Sequence, residues 1–291
     1  MFRGLKDIVI TKSMWLTSSK QLSRFVGTIA DLKLPKFLLA TAIRLYVKAY
    51  KVDMGSFETP ENGFATFNEF FTRLLKKGAR TVNQEPDVVV SPCDGRVVTV
   101  GRIENGMLLQ AKGKYYSLDS LLGDERLAMS LEGGTFLTVY LSPRDYHRVH
   151  FPCDCEVTRL IYRTGKLFTV SPQAIDRVEN LFPTNERLTT VMNTPFGTMA
   201  LCMIGASCVG RITTSYAPIS TERLATDSEL TFNPPIPKKK GEELGTFFLG
   251  STVVLALGSD YLELLCPPEG SPITMGSPIF RMRPQSIFSP N

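Results

Sequence analysis

From Asp87 onward the apolar residues come in short β-branched and aromatic runs cut by turn residues, and this spacing decides the fold class. The runs are Val88–Val90, Arg96–Val100, Thr135–Leu141, Glu156–Tyr162, Met199–Ile204, Val209–Thr214, Thr246–Leu257 and Tyr261–Leu265. Each has the length of a strand. With 22 glycines and 19 prolines in 291 residues, many turns between strands are expected rather than a helical bundle. No β–α alternation with a glycine-rich phosphate loop accompanies them, so a nucleotide-binding α/β architecture has no support. No internal repeat is visible.

Residues 1–80 have another texture. Residues 1–52 read as helical, with Pro35 suited to a first helical position and Lys36–Lys51 following a 3.6-residue period. At 100° per residue, Arg44, Lys48 and Lys51 share one side of that helix, opposite Leu38, Leu39, Ala42, Leu45, Tyr46 and Ala49. Glu58–Leu75 reads as a second helical stretch. Residues 233–241, with three prolines and three lysines, read as a stiff exposed connection, and the end after Gly270 as irregular. The expected class is therefore α+β: a basic helical region over 1–80, then a mainly antiparallel, barrel- or sandwich-like β domain over 81–291.

At 43% hydrophobic and 21% charged residues, with mean hydropathy +0.01, the chain is neither disordered, coiled-coil nor collagenous. No apolar run approaches the ~18–20 residues that span a bilayer. Lys6, Asp7 and Lys12 interrupt the N-terminal apolar stretch, so no secretory signal is expected. The net charge of +5 is unevenly placed: residues 1–51 carry ten Lys/Arg and two acids, and the remainder is mildly acidic. A basic amphipathic front of this kind suits an anionic surface, either nucleic acid or a membrane interface. Packing on its own domain is the plainer use of the same helix. Six cysteines without a C-x-x-C pair point to reduced thiols in a cytoplasmic compartment.

The only two histidines, His147 and His150, lie three residues apart. Three uses compete for them. With Cys153, Asp154, Cys155 and Glu156 they could ligate a metal, although the spacing matches no common zinc site. A Ser–His–Asp hydrolase is a second use, but Gly205–Gly210 has one residue too many for a nucleophile elbow, and Val209–Thr214 reads better as a strand. The third turns on Leu249-Gly250-Ser251-Thr252, inside the strongly apolar run Thr246–Leu257. A glycine within a strand calls for a reason, either a bulge or close approach to its carbonyl, which Ser251 Oγ adjoins.

These residues carry a resemblance. Leu249–Thr252, preceded by Lys240–Phe247 (KGEELGTF), resembles the self-processing site of the phosphatidylserine decarboxylase proenzymes. Tyr140–Cys153 (YLSPRDYHRVHFPC) is similar to that family's histidine motif, Ser91–Val97 (SPCDGRV) to its aspartate motif, and Phe70–Arg80 (FFTRLLKKGAR) to a further family segment. The matches keep their order from about residue 60 to 266. Cys155 departs from the pattern, standing where the family usually carries glycine.

The resemblance implies pyruvoyl-dependent decarboxylation of phosphatidylserine to phosphatidylethanolamine in phospholipid biosynthesis. Ser251 would attack the Gly250 carbonyl, turning the amide into an ester. Loss of the Ser251 Cα proton and β-elimination would then leave a dehydroalanine that hydrolyses to the pyruvoyl group and ammonia. Asp94 would orient and charge-balance His150, the general base of that step. His147 would donate a proton and position substrate during decarboxylation, in which the pyruvoyl carbonyl forms a Schiff base with the lipid's serine amine. Cleavage would give a large chain (1–250) and a small chain (251–291) held together as a heterodimer, with its further dimerisation left open. The resemblance calls for no metal and no nucleic acid, and it implies peripheral attachment to the cytoplasmic face of the cell membrane. An uncleaved hydrolase and a catalytically dead lipid-binding module remain the rivals, both separable by intact mass.

Overall fold

The computed structural model describes residues 18–111, 113–207, 211–259 and 262–282. The helical reading of residues 1–17 lies outside the described residues. Among the described residues three α-helices precede the strands: Lys20–Ala30 (α1), Lys36–Tyr50 (α2) and Phe67–Phe71 (α3). Ser19 caps α1 by accepting from the Leu22 N–H, and Thr66 caps α3 by accepting from that of Glu69. Pro35 stands at the cap of α2 rather than inside it, and Lys51 closes that helix in the left-handed conformation. The long helix expected over Glu58–Leu75 shrinks to the five residues of α3, because Pro60, Asn62 and Gly63 favour turns.

The strands run Val88–Val90 (β1), Gly95–Arg102 (β2), Met107–Ala111 (β3), Lys114–Ser117 (β4) and Thr135–Leu141 (β5). Arg148–His150 (β6), Cys155–Arg163 (β7), Arg187–Thr194 (β8), Gly197–Gly205 (β9) and Arg211–Thr214 (β10) follow. Ser228–Lys238 (β11), Glu243–Phe248 (β12), Ser251–Leu257 (β13), Leu262–Leu264 (β14), Pro272–Ile273 (β15) and Pro278–Met282 (β16) complete the set.

Eight strands form one antiparallel sheet in the order β11-β7-β8-β9-β13-β5-β2-β15. Its edges are β11 and β15, so the sheet is open and not a closed barrel. Smaller sheets, β10-β12-β6 and β1-β16-β14, flank it, and β3 pairs with β4. At the centre lies β13, buried along its whole length and paired on both sides. Each of Val253, Val254, Leu255 and Leu257 contributes roughly 1.5–3 kcal/mol by leaving water.

Four expectations change. The apolar run Thr246–Leu257 is not one strand: it breaks at Leu249-Gly250 into β12 and β13, which belong to different sheets. The proline-rich 233–241 connection supplies much of edge strand β11, where prolines are tolerated because one side of the backbone needs no partner. The chain after Gly270 contributes β15 and β16 rather than only irregular structure. Of the run Tyr261–Leu265 only Leu262–Leu264 is a described strand, and it lies at a sheet edge with Leu264 52% exposed. Cys155 begins β7 with backbone outside the left-handed region, so this position has no need of glycine.

The N-terminal helices are tied to one another and to the β domain at named points. Lys20 meets Glu186 at 3.1 Å, Asn68 Nδ2 donates to the Gly27 carbonyl at 3.3 Å, and Arg211 pairs with Asp31 at 2.6 Å. Of the apolar side expected to pack on α2, only Leu39 is buried. Phe37 (71% exposed), Leu45 (63%) and Leu38 face solvent, as do Phe25 and Ile29 of α1. Among the described residues no helix is long and apolar enough to cross a membrane.

Candidate active site

The break between β12 and β13 is a sharp backbone reversal. Leu249 has φ 77° and Gly250 φ 59°, two successive residues in the left-handed region. Glycine adopts it freely, whereas a leucine there costs about 1–2 kcal/mol. Ser251 opens β13 immediately after, paired with Leu141 of β5 and Gly205 of β9. Its side chain is fully buried, and its Oγ has no hydrogen-bond partner among the described residues. Leaving a buried hydroxyl unpaired costs about 1–3 kcal/mol; Thr99, Thr138 and Thr252 share that state, and Ser251 differs from them in following directly on the left-handed reversal. Strain and an unpaired nucleophile thus adjoin the same peptide bond.

The two histidines sit on the loop and strand that follow β5. The Asp145 carboxylate pins the loop by accepting from the Ser142 N–H at 2.7 Å and from its hydroxyl at 2.6 Å. His147, fully buried, donates from Nδ1 to the Asp145 carbonyl at 2.8 Å, and Phe71 lies 4.2 Å from its ring. Nε2 is therefore the unprotonated nitrogen, and it too has no partner among the described residues. Burial pushes the imidazole down to about 3, helped by the nearby Arg73 charge and opposed by the Asp145 carbonyl. His150 is half-buried in β6. Its Nδ1 donates to the Gly241 carbonyl at 2.8 Å, and its Nε2 accepts from the Tyr146 hydroxyl at 3.1 Å. Burial lowers its pKa, while the Gly241 carbonyl, Glu243 and Asp94 pull it back.

Asp94, from the turn before β2, does not hydrogen-bond His150. Arg80 grips the carboxylate from Nε at 3.0 Å and from Nη2 at 2.5 Å, and the Met275 N–H donates to it at 2.8 Å. A forked guanidinium outcompetes a neutral imidazole for a carboxylate. The expected Asp94–His150–Ser251 chain of hydrogen bonds is accordingly not assembled, and Ser251 bonds neither histidine. Asp94 acts on His150 through its field alone. Gly95 lets β2 approach β5 here, since a Cβ would come within 2.4 Å of the Tyr140 carbonyl oxygen.

Leu249 and Gly250 open onto a cavity of about 470 Å³. Its walls include Ile29 of α1, Leu39 and Tyr46 of α2, Phe71 of α3 and Pro143 of the histidine loop. Tyr46 also donates to the Pro143 carbonyl at 2.9 Å, joining α2 directly to that loop. Lys238, Lys239 and Lys240 are engaged with Glu242, Asp154 and the Val88 carbonyl. Among the described residues no group of three or more possible metal ligands gathers. Burial pushes the Cys155 thiol up to about 12, and no described cysteine forms a disulfide.

Sequence reasoning missed Tyr146, Arg80, Arg73 and the Gly241 carbonyl. All four lie inside motifs it quoted; the partner of Tyr146 is only four residues away, but those of Arg80, Arg73 and Gly241 are distant in sequence.

A buried, unpaired hydroxyl beside a strained peptide that opens onto an apolar cavity, in a chain that also shields two imidazoles, is the equipment of an enzyme rather than of a carrier. A profile of the family described as phosphatidylserine decarboxylase matches residues 67–281. The proenzyme of that name from Pseudoalteromonas translucida is 41% identical over 270 residues, covering 90% of this chain and 93% of its own. That of Vibrio parahaemolyticus is 42% identical over 265 residues, covering 88% and 93%. That of Anaeromyxobacter sp. is 40% identical over 281 residues, covering 94% and 99%. The chain belongs to the phosphatidylserine decarboxylase family.

Proposed function

We propose that this chain matures by cutting itself between Gly250 and Ser251, and that the new N-terminus, a pyruvoyl group made from Ser251, decarboxylates phosphatidylserine to phosphatidylethanolamine. The observation that carries this reading is Ser251 Oγ, buried without a partner beside a carbonyl held between two left-handed residues. Attack by Oγ on the Gly250 carbonyl forms the C–O bond, breaks the C–N bond and leaves the Ser251 nitrogen as an amine. Loss of the Cα proton expels the Gly250 carboxylate. Addition of water to the resulting dehydroalanine then releases ammonia. Leu249 strain of about 1–2 kcal/mol lowers the first barrier.

His150 is the base for this step. It reaches Ser251 only by exchanging the Tyr146 hydroxyl for the Ser251 hydroxyl, and the nearby Asp94 charge steadies the imidazolium that results. After cleavage the small chain stays in place because β13 is paired along both edges and buried throughout.

The pyruvoyl group supplies the carbonyl that binds the substrate amine and takes up the electron pair as CO2 departs. His147 moves the protons. Its bare Nε2 accepts one from the incoming ammonium, and the substrate carboxylate stabilises the imidazolium so formed. Once that carboxylate leaves as CO2, the buried imidazolium becomes a strong acid and returns a proton to Cα.

The exposed apolar residues of α1 and α2, interspersed with Arg24, Lys33, Lys36, Arg44 and Lys48, suit peripheral docking on the anionic cytoplasmic face of the membrane. The cavity beneath them leads a headgroup to Leu249 and Gly250, next to Ser251. The test is intact mass spectrometry with CO2 release from phosphatidylserine vesicles. Two polypeptides, the smaller lacking a free α-amine, are expected; one continuous, active chain would overturn the reading.

A further inference from the structure

Within the segment Phe70–Arg80, Arg73 has no role in the chemistry described so far, yet it is the most deeply buried cation of the site. Arg73 is 2% exposed, and no carboxylate pairs with it among the described residues. Its two terminal nitrogens are spent on carbonyls, while Nε has no hydrogen-bond partner among the described residues. Nη1 donates to Phe70 at 3.4 Å and Phe71 at 3.3 Å, at the end of α3. Nη2 donates to Arg144 at 2.9 Å and Asp145 at 3.4 Å, in the histidine loop. Phe57 lies 4.1 Å from the guanidinium and closes it off from water.

The Asp145 carbonyl is the shared point. It accepts from Arg73 on one side and from His147 Nδ1 on the other. Phe71, carried on the same short helix as Arg73, contacts the imidazole ring. A methionine or leucine could fill this volume, but it would leave the carbonyls of two segments unpaired. A lysine could satisfy one segment but has no planar fork to bridge both.

We propose that Arg73 is a positioning residue for His147: it fixes the Asp145 carbonyl that holds the imidazole proton on Nδ1, and so keeps Nε2 bare toward the substrate. The groups around His147 leave this task to Arg73. The Asp145 carboxylate is turned to Ser142, Arg148 is paired with Glu243 at 2.7 Å, and the Tyr46 phenol is committed to Pro143. His150 is bound to Tyr146 and Gly241, and Arg144 points its charge toward Asp145 only at 3.9 Å. The Arg73 charge also disfavours a second proton on the ring.

The inference rests on the reading of His147 as the group that moves protons, and the test separates the two. With only two histidines in the chain, ¹⁵N-histidine labelling of the full-length enzyme gives two imidazole signals, assigned with His147→Ala. In the unaltered enzyme His147 should be the pure Nδ1–H tautomer at neutral pH. In Arg73→Lys and Arg73→Gln the Nε2–H tautomer should appear. The kcat on phosphatidylserine should fall by roughly 10²-fold with KM little changed. Unchanged tautomers in both variants overturn the proposal, even if kcat falls. Should Arg73→Gln not fold, Arg73→Lys decides alone. A tautomer switch in these variants, with His147→Ala still decarboxylating at full rate, upholds the positioning role and instead defeats the reading of His147.

Discussion

Tyr146 Oη donates to His150 Nε2 at 3.1 Å and thereby occupies the lone pair that a base for Ser251 needs. The His150 ring does not depend on this bond for its orientation, because Nδ1 is held by the Gly241 carbonyl and the strand by its pairing with β12. Tyr146→Phe keeps the ring packed against Phe57 and removes only the competitor. A net hydrogen bond is worth about 0.5–1.5 kcal/mol, so self-cleavage should accelerate by up to about tenfold. Loss of a donor to the neutral imidazole also raises the His150 pKa, moving the acid limb of the cleavage rate upward. Slower appearance of the small chain on a denaturing gel would instead make Tyr146 a proton relay.

Ser251→Ala removes a buried hydroxyl that has no partner. Cleavage and CO2 release should both vanish. Stability should not fall, and removing the unpaired group should raise it by about 1–3 kcal/mol. Thermal unfolding of the variant, compared with an uncleaved His150→Ala chain, measures the difference. A clear loss of stability would mean that the hydroxyl is satisfied in solution.

Leu249→Gly tests the strain. Glycine adopts φ 77° without penalty, so relief of about 1–2 kcal/mol is partly offset by the freer unfolded chain. The melting temperature should change little, while cleavage slows by several-fold because less energy is stored beside the bond that breaks. Cleavage at the unaltered rate would remove strain from the mechanism.

The sequence made the strands legible where the core dictates them: Val88–Val90 and Thr135–Leu141 appear with the expected bounds. It hid the reversal at Leu249-Gly250, because an apolar run looks continuous and nothing local announces a leucine at positive φ. Edge strand β11 was hidden for the opposite reason, its prolines and charges reading as loop although one paired side suffices. For the site, the motifs singled out Asp94, His147, His150 and Ser251. The bonds that govern them, Arg80 to Asp94, Gly241 to His150 and Arg73 to Asp145, join residues 14, 91 and 72 apart and follow from the fold alone.

Acid should destabilise the protein through His147. Its pKa is about 3 in the folded state and 6.5 as the ordinary value, so between these limits the unfolded chain binds the extra proton. Stability is therefore fully present above about pH 6.5 and is lost as pH falls toward 3. His150, lowered in the same direction, adds to the slope. The shift corresponds to a few kcal/mol at most, to order of magnitude. In His147→Gln the dependence of melting temperature on pH between 6.5 and 4 should flatten; an unchanged slope would show that the imidazole is not buried neutral.

Phe37 and Leu45 test the docking face without touching the site. They are 71% and 63% exposed on α2, whereas deleting the helix would also remove Leu39 from the cavity wall and the Tyr46 bond to Pro143. Burying such a side chain in the interface contributes roughly 1.5–3 kcal/mol, and a carboxylate there adds repulsion from anionic lipid. Phe37→Glu and Leu45→Glu should each lower partitioning onto vesicles of phosphatidylglycerol and phosphatidylserine by about tenfold or more. Self-cleavage should proceed at the unaltered rate. Activity should recover on short-chain phosphatidylserine presented below its micellar concentration, because the cavity and its catalytic groups are intact. Undiminished sedimentation with the vesicles would assign docking to another surface.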